Sequence, residues 1–198
     1  MGGIRLRLLE ERIRREASVI APDVLRVDMF LNHVIDVALL DAMGQEFYRR
    51  FAGKAGAVTK ILTVEASGIA VACAAARCFG APVLFAKKGA SNKTLDKEVY
   101  AAVIRSFTKD SLTNISVARR FLTAEDTVLI IDDFLANGAA VRGLRDIIDQ
   151  AGAQLAGVGV AIEKGFQPGG AELRAQGIQV ESLAIIDNLE RMEFRESP

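Results

Sequence analysis

The 198-residue chain has no tryptophan, only one histidine, two cysteines and four prolines, and its 25 basic residues balance 25 acidic ones. Because the net charge is zero, the composition lacks the excess of basic residues that is typical of nucleic-acid-binding proteins. The lack of tryptophan, together with abundant Gly and Ala, suits a tightly packed α/β sheet better than a sandwich or a coiled coil. A chain of this length fits one domain with a good core.

Cys73 and Cys78 lie five residues apart in an alanine-rich stretch with a helical pattern. Their side chains then point to different faces of the helix and match no metal or redox spacing. We expect them to be buried thiols in a reducing cytoplasm.

Long apolar runs are also missing. Met1–Ala17 is charged throughout and lacks the apolar centre of an export signal. The apolar stretches Ile69–Ala76 and Val128–Ile131 fall well short of the ~20 residues that a membrane span requires. These absences predict a cytoplasmic protein with no membrane partner.

The most informative segment is residues 128–140, with the sequence VLIIDDFLANGAA. An apolar run of strand length ends in Asp132 and Asp133, and small residues then lead into an amphipathic helical stretch. A loop between a strand end and a helix start offers backbone N–H groups and a helix dipole to a phosphate. Gly138 lets the backbone approach such a ligand. The two aspartates suit sugar hydroxyls and, through Mg²⁺, a diphosphate.

Strand and helix patterns alternate around this segment, which predicts a mostly parallel sheet flanked by helices. The terminal segments, about 1–35 and 163–198, fall outside the alternation, so we expect one domain with a core of about 36–162 and a small hood from the chain termini. The predicted helices are 4–17, a helix from the N-cap Asp36 to about Phe51, Ile69–Phe79 and Ala139–Gln150. The predicted strands are Val24–Val27, Val58–Val64, Pro82–Lys87, the hairpin of Val99–Phe107 and Ile115–Leu122, Thr127–Asp132 and Leu155–Ile162.

Segment 128–140 closely resembles the phosphoribosyl-pyrophosphate (PRPP) motif of type I phosphoribosyltransferases. The resemblance implies that fold, catalytic roles for Asp132 and Asp133, and a phosphate loop at residues 136–140. Many members carry Thr or Ser where Asn137 and Ala140 stand, so we expect more of the phosphate binding to come from backbone amides. The implied PRPP-binding residues are Ala136, Asn137, Gly138, Ala139 and Ala140.

A second strand-to-helix turn lies at residues 65–68, here called the pyrophosphate loop. The resemblance implies that Glu65, Ala66, Ser67 and Gly68 bind pyrophosphate, commonly with a cis peptide before a residue other than proline. Taken alone, the Glu-Ala-Ser-Gly sequence is also typical of an ordinary helix cap. The polar segment 87–108, which includes Ser91, Asn92, Lys93 and Thr94, occupies the position of the family's flexible catalytic loop. A solvated hairpin without a catalytic role is the alternative.

The segment Val24–His33 and the Glu-Lys-Gly-Phe segment at 163–166 are similar to those of the bacterial xanthine phosphoribosyltransferases. That resemblance implies purine contacts from Leu25, Asn32 and Lys164. A lysine only donates hydrogen bonds, which suits a 6-oxo group and not an adenine amino group, and the Asn32 amide can donate to a 2-oxo group. For His33 we favour a local structural role over that of a general base.

The implied reaction transfers 5-phosphoribosyl from PRPP to xanthine, with Mg²⁺ bound mainly through PRPP and no dedicated metal cage in the protein. The resemblance also implies a homodimer. Two alternatives remain: a phosphoribosyltransferase for another purine, and a transcriptional regulator that senses PRPP and binds DNA. The neutral charge and the short segment before the hood disfavour the regulator.

Overall fold

The computed structural model describes residues 7–54, 57–89, 98–106 and 111–195. The helices in these ranges are α1 (Arg7–Glu16), α2 (Val37–Arg50), α3 (Gly68–Phe79), α4 (Ala139–Ala151) and α5 (Gly169–Ala175), with a π-helical turn at Asp28–Asn32 and a 3₁₀ turn at Arg119–Phe121. The strands are β1 (Ser18–Ala21), β2 (Val24–Arg26), β3 (Lys60–Val64), β4 (Val83–Lys88), β5 (Val99–Ser106), β6 (Ser111–Ala118), β7 (Thr127–Leu135), β8 (Gln154–Lys164), β9 (Val180–Asn188) and β10 (Glu193–Arg195).

The centre of the described fold is an eight-stranded sheet in the order β10-β9-β8-β7-β3-β4-β6-β5. Neighbouring strands from β9 through to β4 are parallel, and antiparallel strands extend the sheet at both edges. The carboxyl ends of the parallel strands therefore meet at one edge of the sheet, where ligands bind in open α/β folds. The predicted mostly parallel sheet with flanking helices is confirmed.

Helices cover both faces of the sheet, which explains the continuous apolar run of β7. On one face, Leu129 and Ile131 pack in a cluster with residues of α2 and α3. On the other face, Val128 and Ile130 pack with residues of α4. The predicted N-cap of α2 is also present, because the Asp36 carboxylate accepts a hydrogen bond from the Leu39 N–H at 3.0 Å.

Several predicted strand bounds were wrong. Strand β7 continues to Leu135, so Asp132 and Asp133 lie within it, and β8 continues to Lys164. The predicted second strand of the hairpin, Ile115–Leu122, begins four residues earlier and ends at Ala118. Polar residues near strand ends weaken the apolar pattern, although ladder hydrogen bonds still extend the strand through them.

The strand–helix alternation does not stop at residue 162. Helix α5 leads into β9, which pairs in parallel with β8, so much of the segment 163–198 belongs to the central sheet. Its run Leu183–Ile186 is buried, as expected for a strand covered on both faces. The N-terminal segment does meet the chain's C-terminal part, since Arg14 Nη1 donates to Met192 O at 2.7 Å.

The two cysteines are not buried thiols. Cys73 is exposed and Cys78 is partly exposed. Helix α3 buries Val71, Ala72 and Ala75, and position 73 lies on the solvent side of that stripe. Every helix in the described ranges is too short or too polar to serve as a membrane span. Ser91, Asn92, Lys93 and Thr94 of the predicted catalytic loop lie outside the described residues.

Candidate active site

The pyrophosphate loop and the acidic pair meet because β3 and β7 are adjacent parallel strands. A Cβ built on Gly68, the first residue of α3, would lie 2.5 Å from Asp132 Oδ1. Only a glycine permits so close an approach of the helix start to the carboxylate. The peptide bond between Glu65 and Ala66 is cis, as predicted.

Asp132 and Asp133 are almost completely buried, with 4% and 9% of their surfaces exposed. The Asp133 N–H donates to Asp132 Oδ1 at 3.0 Å. Burial raises the pKa of Asp132 well above its ordinary value, and the adjacent charge and the side-chain hydrogen bond of Asp133 raise it further. The backbone hydrogen bond from the Asp133 N–H and the positive charge of Lys88 act in the opposite direction. The pair is thus a concentrated, poorly solvated negative site that favours a cationic ligand or a developing positive charge.

Thr63 adds a polar group that the sequence pattern did not single out. It lies on β3, is fully buried, and its hydroxyl makes no hydrogen bond to another described residue. A Cβ on Gly68 would collide with this hydroxyl as well as with Asp132. The strand pattern gave no sign of it, because a threonine in a strand is ordinarily a β-former.

The phosphate loop forms the start of α4. Gly138 has a φ of +80°, the left-handed conformation that favours glycine. The Asn137 side chain accepts a hydrogen bond through Oδ1 from the Ala139 N–H at 2.9 Å. Asn137 therefore folds back onto the loop and caps one of the amides that a phosphate would use.

A third glycine contact, also missed by sequence reasoning, packs α5 against this loop. The Gly169 N–H donates to Ala136 O at 3.1 Å, and a Cβ on Gly169 would lie 2.5 Å from the Gly138 nitrogen. The Pro168-Gly169-Gly170 run in the sequence predicts a turn, but it does not indicate that this turn contacts the phosphate loop.

Glu65 joins the pyrophosphate loop to the end of β4. Its carboxylate accepts a hydrogen bond from the Lys88 backbone N–H at 2.6 Å. The Glu65 side chain is therefore engaged in holding the loop, and Lys88 is fixed where its charge reaches Asp132.

Lys164 is half-buried at the end of β8. Its ammonium donates to the backbone oxygen of Asp23 at 2.5 Å and lies 5.8 Å from the Phe134 ring centroid. Burial lowers its pKa, while the negative charge of Asp23 acts in the opposite direction. Asp23 lies in the turn between β1 and β2, so this contact brings the strand of the buried Leu25 to Lys164.

Asn32 and His33 are exposed at the end of the π-helical turn. The His33 backbone N–H donates to Asp28 O. In the described residues no hydrogen bond or ion pair joins Asn32 to Lys164, whereas the bond from Lys164 to Asp23 O ties the lysine to the turn just before Leu25.

Glu163, the neighbour of Lys164, is the centre of a buried polar network. Its two oxygens accept from Arg174 at 2.9 and 2.7 Å, and Ser182 Oγ also donates to it. Burial acts to raise the Glu163 pKa, but these hydrogen bonds and the charges of Arg174 and Arg195 outweigh it and hold the pKa below its ordinary value. The network fixes α5 and β9 against the end of β8.

Comparison with proteins of known identity decides the family. Two bacterial xanthine phosphoribosyltransferases match almost the full chain. The protein of Ruminiclostridium cellulolyticum is 52% identical over 96% of this chain and 100% of its own length. That of Moorella thermoacetica is 58% identical over 92% of this chain and 91% of its own length. The chain belongs to the xanthine phosphoribosyltransferase family. No model of a protein family matches the sequence.

This xanthine phosphoribosyltransferase family member shares its fold with solved adenine phosphoribosyltransferases. The enzyme from Trypanosoma brucei superposes with a TM-score of 0.73 at 15% identity, covering 89% of this chain and 78% of that one. The enzyme from Rhodothermus marinus gives 0.70 at 18% identity, covering 91% and 99%. At these identities the superpositions establish the type I phosphoribosyltransferase fold alone.

In this xanthine phosphoribosyltransferase family member, the described residues contain no group of three or more His, Cys, Asp or Glu side chains that could hold a metal ion. The buried oxygens of Asp132 and Asp133 still suit Mg²⁺ brought in by a diphosphate ligand.

Proposed function

We propose that the protein transfers the 5-phosphoribosyl group from PRPP to xanthine, forming xanthosine monophosphate and pyrophosphate. The observation that carries the proposal is the meeting of a buried acidic pair with two strand-to-helix loops at one edge of a parallel sheet. One loop suits the 5-phosphate and the other the pyrophosphate, with the ribose between them. The family relationship supports the same reaction.

In this proposal, Asp132 and Asp133 bind the ribose hydroxyls and stabilise the positive charge that develops at the anomeric carbon. Their burial strengthens that interaction, because the charges act in a medium of low dielectric constant. The approaching cation in turn lowers the cost of ionising Asp132. The pair thus interacts more strongly with the transition state than with the neutral sugar, as catalysis requires.

The phosphate loop residues Ala136, Asn137, Gly138, Ala139 and Ala140 bind the 5-phosphate through backbone N–H groups. Because Asn137 Oδ1 already occupies the Ala139 N–H, its side chain has to turn away when the phosphate arrives. At the pyrophosphate loop, Glu65 holds the backbone while Ala66, Ser67 and Gly68 present amides at the start of α3. Mg²⁺ enters with PRPP and neutralises the diphosphate charge.

Lys164 recognises the base. One of its three donors already goes to Asp23 O, which leaves two for the 6-oxo and N7 edge of the purine. Leu25 contributes an apolar contact, and Asn32 donates to the 2-oxo group from the turn that follows. An adenine amino group would meet the Lys164 ammonium donor to donor, which disfavours adenine.

We further propose a homodimer located in the cytoplasm. The exposed thiol of Cys73 suits a reducing compartment, where it stays free. Light scattering on the purified protein measures the oligomeric state. A monomer at assay concentration would remove the homodimer from the proposal without affecting the reaction.

The deciding experiment measures PRPP-dependent nucleotide formation with xanthine, hypoxanthine, guanine and adenine, with and without Mg²⁺. The proposal requires the highest kcat/KM with xanthine and a loss of activity when Mg²⁺ is removed. A higher kcat/KM with another base would identify that purine as the substrate instead of xanthine. PRPP binding without turnover on any base, together with specific DNA binding in a parallel titration, would support the regulator instead.

A further inference from the structure

The phosphate loop has its first three backbone carbonyl groups tied to donors in the chain. Ala136 O accepts from the Gly169 N–H at 3.1 Å, and Gly138 O accepts from the Arg142 N–H at 2.9 Å. Asn137 O accepts from a side chain instead, Arg142 Nη2, at 2.8 Å. Carbonyl oxygens repel a phosphate whereas amide N–H groups bind it, so these bonds decide which groups the loop presents.

The Arg142 guanidinium lies directly against the loop, since a Cβ on Gly138 would be 3.0 Å from Arg142 Nη1. Its bond to Asn137 O is charge-assisted and therefore stronger than a neutral one. In a planar trans peptide, the C=O of residue 137 and the N–H of residue 138 point in opposite directions. Pulling the Asn137 carbonyl toward Arg142 thus turns the Gly138 N–H away from the guanidinium.

We propose that Arg142 is a positioning residue for the 5-phosphate of PRPP, an inference that rests on the proposed function. It holds the Asn137–Gly138 peptide in the orientation whose N–H binds the phosphate, and it adds a positive charge beside a site for a dianion. This support compensates for the hydroxyl donors that many type I phosphoribosyltransferases have in place of Asn137 and Ala140.

The other contact of the guanidinium supplies a matched control. Arg142 Nη1 forms an ion pair with Glu172 Oε2 at 3.3 Å, and both side chains are more than a third exposed. Exposed pairs of this kind contribute little to stability. Glu172→Gln removes the pair and leaves the bond to Asn137 O in place.

The test compares Arg142→Met, Arg142→Gln, Arg142→Lys and Glu172→Gln with the wild type. For Arg142→Met we expect a rise of about tenfold or more in the KM for PRPP, the effect of losing one charge-assisted hydrogen bond. The KM for xanthine at saturating PRPP and the kcat should stay close to wild type. Arg142→Lys should recover part of the PRPP affinity, and Glu172→Gln should match the wild type. Calorimetric titration with PRPP checks the affinity directly.

Failure of this inference is separable from failure of the proposed function. A wild-type protein that neither binds PRPP nor forms nucleotide would reject the function itself. An active wild type with an unchanged KM for PRPP in any folded Arg142→Met or Arg142→Gln variant would overturn the role of Arg142. Equal rises in both KM values with a lowered Tm would also overturn it, because they would mark a purely structural residue.

Discussion

Gly68 and Asp132 are packed so closely that a Cβ on the glycine would lie 2.5 Å from the carboxylate oxygen Oδ1. The contact joins the pyrophosphate loop to the acidic pair, two segments that lie far apart in the sequence. Any side chain at position 68 would have to displace the carboxylate. The glycine therefore fixes the position of a catalytic candidate as well as the start of α3.

Gly68→Ala should abolish most turnover while the protein stays folded. The added methyl group pushes against Asp132 and the buried Thr63 hydroxyl, and overpacking of this kind typically costs about 1–3 kcal/mol of unfolding free energy. A displacement of the carboxylate by about 1 Å is enough to lower kcat/KM by roughly a hundredfold. Steady-state kinetics and thermal unfolding measure the two effects.

Gly53→Ala is the matched control for that substitution. A Cβ at Gly53 would meet no atom within 4 Å. Its kinetics and Tm should equal those of the wild type. Near-normal turnover in folded Gly68→Ala would show that the carboxylate position is not critical.

Asp132→Asn should stabilise the substrate-free protein at neutral pH and remove most of its activity. The folded state binds the Asp132 proton more tightly than the unfolded state, because its pKa is raised. Stability therefore falls as the pH rises from the ordinary pKa toward the raised one, by about 1.4 kcal/mol for each intervening pH unit. Asp132→Asn does not lose stability in this way, because asparagine carries no titratable carboxyl group. The Tm of Asp132→Asn should exceed that of the wild type by a margin that grows as the pH rises from 4 to 8. Parallel curves of Tm against pH for the two proteins would contradict the pKa assignment.

Lys164→Ala and Asn32→Ala should change the kcat/KM for xanthine and hypoxanthine in different ways. Every 6-oxopurine presents the edge assigned to Lys164, so its loss should lower kcat/KM for xanthine and hypoxanthine alike, by roughly ten- to a hundredfold. Asn32→Ala should harm xanthine more, because hypoxanthine lacks the 2-oxo group. Kinetics of both variants with both bases test this. Equal losses in Asn32→Ala would mean that xanthine preference lies elsewhere.

Glu163→Gln should lower the unfolding free energy at pH 7 by about 3 kcal/mol, because it leaves the Arg174 charge without its buried partner. The folded-state pKa of Glu163 is lowered. Its ionised form therefore contributes stability that is present above the ordinary pKa and is lost as the pH falls through the folded value. Denaturant unfolding at pH 7 and at pH 3–4 should show the variant approaching the wild type in acid. A constant difference would contradict this linkage.

The sequence by itself determined the strand-loop-helix unit of residues 128–140, the second turn at 65–68 and the N-cap Asp36. These features are encoded in windows of about ten residues, where apolar periodicity and small residues act locally. Adjacent parallel strands then bring their carboxyl ends to one edge by topology alone. The mostly parallel α/β sheet was predictable for this reason, and the resemblance of residues 128–140 to the PRPP motif identified it as the type I phosphoribosyltransferase fold.

Other features depended on residues far apart in the chain. The bond from Lys164 to Asp23 O spans 141 positions. Helix packing on the sheet decides two further features. It brings Gly169 against Gly138, and it buries the residues beside Cys73 while the Cys73 thiol stays exposed. No local pattern encodes such pairs, because their energies arise only once the sheet is assembled.

The electrostatics were decided in the same way. Sequence placed Asp132 and Asp133 side by side, but the largest cause of the raised pKa of Asp132 is tertiary burial, since desolvation depends on everything packed around the carboxylate. Glu163 is also buried, but its pKa is lowered, because Arg174 from α5 donates two hydrogen bonds to its carboxylate. The sequence thus determined which chemical groups are present and on which elements, while the folded structure determined their charge states and distances, through dielectric and packing effects that no single segment possesses.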